Sequence, residues 1–251
     1  MRVPVGLIRF THYPAGAMKS SLRVTTDPAP RTLRGAPRRI ARYVTSAPLT
    51  FGWLAVLLFT TVIQHSLSHR ERYEVLVHGS TNLRHLASDP IRVLVDSLLW
   101  LDGYYWWPYL IVFWLFVAPA ERWLGPLRWL AVGLASHVIA TYVGEGVLYW
   151  TIQEAAASPR LVNARDIGVS YFVVGLVGVL TYHVAKPWRW AYLALVVALF
   201  GVTALVDPTF TQWGHLCALF VGLACYPLTR DCEGAAWDPM RKLRTCGFDR
   251  R

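Results

Sequence analysis

The chain reads as an all-α integral membrane protein: a bundle of six transmembrane helices with a partly embedded first outer loop. Three observations predict it. With 55% hydrophobic residues, 12 tryptophans and a mean hydropathy of +0.35, the composition is too apolar for an ordinary soluble domain. Six apolar runs stand at 48–65, 104–118, 129–150, 167–185, 188–206 and 212–228, most of them near the length needed to cross about 30 Å of hydrocarbon and the second one short. Most of the net charge of +10 sits in the first 47 residues and the last 25, outside every run. Charge placed this way orients spans in a lipid bilayer, and no stacking or groove-reading motif offers nucleic acid as a partner.

Residues 1–47 are rich in Arg, Pro, Ser and Thr without a sustained apolar period, and read as a disordered, basic cytoplasmic arm. Its VPVGLI stretch is too short for a signal-peptide core. Arg38, Arg39 and Arg42 stand just ahead of the first run, as a topology anchor or as contacts to anionic headgroups. The membrane domain is expected over 48–229, followed by a charged cytoplasmic tail at 230–251. Six crossings put both termini on one side. The arm, the turn at Glu121–Arg128, the turn at Lys186–Arg189 and the tail hold most of the Lys and Arg, so they are expected in the cytoplasm of a bacterial plasma-membrane protein.

The second run contains Pro108, which a helix tolerates in its first turn because that N–H lacks an intrahelical partner. The loop at 66–103 carries IRVLVDSLLWLD after Asp89-Pro90, either a helix in the outer leaflet or a lid on the spans. Cys217 and Cys225 read as small packing residues, and Cys232 and Cys246 as reduced tail thiols. No metal-ligand spacing, nucleotide-binding pattern or Ser-x-x-Lys pattern is present, so neither metal nor cofactor is expected.

Two reactive side chains stand in apolar helices: Ser170 in GVSYFVVGLVG and His215 in WGHLCALFVG. An ionisable residue inside a span is costly enough to be a functional candidate, and a serine at matching depth gives it something to activate. In the expected topology both runs pass from outside to inside. Ser170 is four residues past Asp166 and His215 eight past Asp207, which places each roughly 5 to 10 Å below the outer boundary. Gly214, Ala218 and Gly222 recur at every fourth residue, and Gly168, Gly175 and Gly178 lie on the fourth run. Small-residue ridges of this kind let two helices approach closely. Serine in a membrane helix also commonly bonds back to its own backbone, so Ser170 alone would carry no chemistry.

These segments resemble the rhomboid family of six-span intramembrane serine proteases, which use a Ser-His dyad. Gly168-Val169-Ser170-Tyr171, with Gly175 and Gly178, is similar to its GxSG pattern. Gly214-His215-Leu216-Cys217-Ala218, with Gly222, resembles its AHLGG pattern. Pro119 to Gly125 is similar to its P-x-E-x-x-x-G turn, and Arg92 to the arginine of its first-loop W-R segment. The resemblance covers about residues 48–229 in order. It implies Ser170 as nucleophile, His215 as general base, the Ser170 N–H near a helix start as an oxyanion donor, and single-span membrane proteins as substrates.

Departures from the pattern matter as much. Tyr105 and Tyr109 stand where the family has the His and Asn of an oxyanion-stabilising H-x-x-x-N element; they read as hydrogen-bond donors or as interface aromatics. Tyr171 replaces the glycine after the nucleophile and is expected to crowd the substrate pocket. Glu145, between Gly144 and Gly146, is expected near the outer end of the third run, as an auxiliary to His215 or an interfacial acid. His137 is expected deeper, toward the cytoplasmic half. Two readings follow: a protease, or a catalytically silent relative that binds membrane-helix clients. A transporter would call for half-helices or repeats, and none is visible.

Overall fold

The computed structural model describes residues 36–103, 105–232 and 236–241, and these are helical almost throughout. The chain divides into Met1–Arg39 and Ile40–Arg251. Part of the arm expected to be disordered is ordered: α1 spans Ala36–Thr45. Residues 1–35 of the arm lie outside the described residues, as does Cys246.

Among the described residues three helices are long and apolar enough to cross a membrane: α2 (Pro48–Ser66), α8 (Pro126–Gln153) and α10 (Trp188–Val206). After α2 the loop at 66–103, expected on the outer face and called the outer loop for that reason, folds as three short helices, α3 (His69–His78), α4 (Leu83–Ser88) and α5 (Pro90–Asp96). Each starts on a side-chain cap, from Ser68, Asn82 and Asp89 respectively, which supplies an acceptor to first-turn N–H groups. α5 packs inward through buried Val93 and leaves Ile91 and Val95 exposed. Its carbonyl at Leu94 and that at Leu98 beyond it are taken by His137 Nε2 at 3.0 Å and Trp53 Nε1 at 2.7 Å. The loop is therefore pinned to the bundle at the level of His137. His137 thus holds the outer loop through the Leu94 carbonyl of α5 and lies 3.4 Å from Ser97 Oγ.

The second apolar run forms α6 (Trp107–Val112), a π-helical turn at Phe113–Val117, and α7 (Ala118–Leu124). Pro108 falls in the first turn of α6. Pro119 has no N–H to give the preceding turn, and the wider π geometry accommodates its ring. The Trp114 carbonyl five residues earlier is satisfied by the Tyr43 hydroxyl at 2.7 Å. Glu121, expected in a turn, is helical and buried, and its two carboxylate oxygens accept the N–H groups of Leu49 at 3.0 Å and Thr50 at 2.7 Å. It therefore caps the N-terminus of α2, where the helix dipole favours an anion. The chain turns at Gly125, whose φ of +77° is open to glycine at low cost.

The remaining helices are α9 (Val169–Leu180), α10 and α11 (Phe210–Ala224). α8, α9 and α11 form the centre of the bundle. Gly222 explains the close approach of α9 and α11, because a Cβ there would meet the Gly175 backbone, its Cα at 3.0 Å. Gly178 lies against Leu219 and Gly222, and Gly175 against Ser136 of α8 and the Ala218 carbonyl. At 1.5 Å per residue the 12 residues of α9 rise about 18 Å, short of the roughly 30 Å hydrocarbon core. Ser170 stands in the first turn of α9, half-buried.

Candidate active site

Helix α9 is buried at every position except Ser170, which is half-buried. The Ser170 hydroxyl points across the seam to α11, where Oγ is 2.9 Å from His215 Nε2. Ser170 Oγ is also 3.4 Å from the Ile167 carbonyl, the weaker of its two contacts. On the far side of the imidazole, Nδ1 lies 3.5 Å from Gln212 Oε1, an acceptor that favours the tautomer with the ring proton on Nδ1 and Nε2 bare. Gln212 escaped the reading of the sequence, although its place three residues before His215 puts both on one helix face.

Tyr171 does not enter the crevice it was expected to crowd. One position after Ser170 on a helix, it turns about 100° away and is completely buried. Its ring stands edge-to-face against His215, with centroids 5.2 Å apart and planes at 67°. The hydroxyl donates to Asp166 Oδ1 at 3.1 Å. Asp166 belongs to the segment connecting α8 and α9, where its backbone N–H donates to Ser80 Oγ at 2.7 Å and its carbonyl accepts the Thr81 N–H at 3.0 Å. Burial pushes its carboxyl up to about 7, against the opposing effect of hydrogen bonds from Tyr171 and Thr81.

The other candidate residues separate into those brought to the dyad and those held elsewhere. Tyr109 shares a crevice with Ser170, whereas Tyr105 is 61% exposed. Gly168 caps α9 and lies against the His137 ring, which a Cβ would strike. Glu145 is buried facing Asp166 and near the Leu83 N–H, without meeting hydrogen-bond geometry there. Its surroundings are the outer loop and the connecting segment. Gly214 is next to His215 and clears space for Tyr171, since a Cβ would fall 2.5 Å from the Tyr171 hydroxyl. Gly175, Gly178, Ala218 and Gly222 all lie in the α9–α11 seam. Arg92 is on the exterior of α5, paired with Asp96 at 3.3 Å.

An apolar crevice of about 520 Å³ opens between α6 and α10 and reaches Ser170. Tyr109 and Val112 form one wall, Leu195 and Leu199 the other, and Val173 part of the floor. α10 contributes little packing of its own: Val196 and Ala204 are its buried residues. Among the described residues no cluster of three or more His, Cys, Asp or Glu side chains is arranged to hold a metal ion.

A sequence model of the family described as rhomboid-like protein matches residues 42–235. Comparison with curated proteins finds no match, and comparison with solved structures finds none.

Proposed function

Because the chain belongs to the rhomboid-like family, we propose that it is an intramembrane serine endopeptidase with Ser170 as nucleophile and His215 as general base. The observation that carries this reading is the 2.9 Å contact between Ser170 Oγ and His215 Nε2 on different apolar helices, with Ser170 lining an apolar crevice. Six crossings, by α2, α6–α7, α8, α9, α10 and α11, with both termini cytoplasmic in a plasma membrane, complete the reading. In it, residues 48–229 are the membrane domain between a basic arm and a charged tail.

In the reaction, Ser170 Oγ attacks the scissile carbonyl carbon as its proton passes to His215 Nε2. The carbonyl oxygen becomes an oxyanion beside the first turn of α9. N–H groups there lack intrahelical acceptors, no side chain caps them, and the positive end of the helix dipole favours the new charge. Collapse of the intermediate breaks the C–N bond, and the imidazolium returns its proton to the leaving amine. Water, activated by the same imidazole, then releases the acyl group. A single-span substrate reaches Ser170 laterally through the crevice between α6 and α10, whose apolar walls match a lipid-embedded segment.

The second reading, a silent relative that binds such segments without cutting them, draws on the oxyanion side. Of the two tyrosines at the family's donor positions, Tyr109 lines the crevice and Tyr105 is largely exposed, and loss of one donor costs on the order of 10² to 10³ in rate. Labelling of purified protein with a fluorophosphonate probe separates the two readings. The protease reading expects labelling that Ser170→Ala and His215→Ala abolish; the silent reading expects none.

A further inference from the structure

We infer that Asp166 and Tyr171 are positioning residues for His215, forming a strut that ties the imidazole to the Ser80–Thr81 turn of the outer loop. The inference rests on the dyad reading for its catalytic consequence, while the strut itself is a matter of contacts. A Ser-His dyad lacks the carboxylate that orients the imidazole in a triad. On the Nδ1 side the available partner is Gln212 at 3.5 Å, at the outer limit of a hydrogen bond. Something else must fix the plane of the ring, and Tyr171 stands against it at 5.2 Å and 67°.

Tyr171 is itself held at both ends. Its backbone is in α9, and its hydroxyl reaches Asp166 Oδ1 at 3.1 Å. Two glycines leave room for it: a Cβ on Gly214 of α11 would fall 2.5 Å from the hydroxyl, and one on Gly144 of α8 would fall 3.3 Å away. Asp166 is locked in turn by the outer loop, with its N–H on Ser80 Oγ at 2.7 Å and its carbonyl on the Thr81 N–H and hydroxyl at 3.0 and 3.1 Å. The path from outer loop to imidazole is therefore continuous: Ser80 and Thr81, Asp166, Tyr171, His215. Packing alone does not account for it. Phenylalanine and alanine would fill the same space without burying a carboxylate at 2% exposure, which is costly unless its hydrogen bonds serve a purpose.

Two readouts test the strut on purified full-length protein. In ¹⁵N-histidine NMR, with the His215 signals identified by their loss in His215→Ala, the wild type is expected to show one tautomer, protonated at Nδ1. Tyr171→Phe, which keeps the ring, and Asp166→Ala are expected to broaden or average those signals. Fluorophosphonate labelling per folded molecule at saturating probe is expected to fall on the order of 10- to 100-fold, as for a misplaced catalytic group, with half-saturation unchanged. Asp166→Asn keeps an acceptor oxygen and is expected to restore most of the rate. His215 signals unchanged from wild type in both Tyr171→Phe and Asp166→Ala would overturn the strut, whatever the labelling. A wild type that shows the ordered signals, and loses them in the variants, yet never labels would uphold the strut and overturn the dyad.

Discussion

Helices α9 and α10 are neighbours in sequence and opposites in packing. Eleven of the 12 residues of α9 are buried, whereas α10 buries Val196 and Ala204 out of 19. The difference separates two tasks. α9 is clamped between α8 and α11 by glycine contacts with no spare space, so Ser170 can meet His215 at hydrogen-bond distance. α10 forms one side of the crevice with few contacts to lose, so on the proposed reading it is the element expected to yield when a helical segment enters.

The hardest test of that contrast is to perturb both helices' surroundings. In Gly222→Leu the new side chain would meet the Gly175 backbone, which cannot yield as a side chain can. Overpacking of this kind is expected to cost at least about 3 kcal/mol, seen as loss of folded protein or a sharply lowered thermal midpoint in detergent. Leu205→Ala, on α10 at 76% exposure, is expected to stay within about 0.5 kcal/mol. Equal losses for the two variants would erase the distinction.

A smaller effect sharpens the role of the crevice. Leu199, 56% exposed on α10, lines it. Leu199→Trp is expected to slow cleavage of a single-span reporter on the order of tenfold, the scale of a pocket that no longer fits its ligand. Labelling by a small fluorophosphonate is expected to change little, because the dyad itself is untouched. Parallel loss of both activities would place Leu199 in the support of the dyad rather than in access to it.

The smallest expected effect concerns acidity on the α9 side. Asp166 is held at about 7, above its ordinary 3.8, so folding binds a proton between those values. That contribution is fully present below about pH 4 and is lost as pH rises through about 7. The thermal midpoint of the wild type is therefore expected to fall across this window more than that of Asp166→Asn, and identical pH profiles would contradict the assignment.

Much of the architecture was legible because long apolar runs have few alternatives in sequence. Each of the six coincides with a helical segment, even the one that carries Pro108. Motif spacing drew attention to Ser170 and His215, and small residues at every fourth position to the seam between their helices. What sequence spacing does not encode is contact across distant segments. Tyr171 looked like an obstruction because its neighbour in sequence is Ser170, whereas its direction on the helix sends it to His215 and Asp166. Asp166 looked like a boundary marker, and its tie to Ser80 spans 86 positions. That the partner of His137 would be Leu94 of the outer loop was not legible, because nothing in α8 tells how far that loop reaches into the bundle. α1 was missed because its arginines and its single proline mask the short pattern that carries Tyr43, whose hydroxyl serves a carbonyl 71 residues away.

The central claim is that the Ser170–His215 contact activates a nucleophile. Its most direct measurement is fluorophosphonate labelling of purified, folded protein, with the adduct located by mass spectrometry. The account predicts one adduct, on Ser170, absent in Ser170→Ala and in His215→Ala. A folded wild type that takes up no probe, or an adduct on another residue that persists in Ser170→Ala, would contradict it.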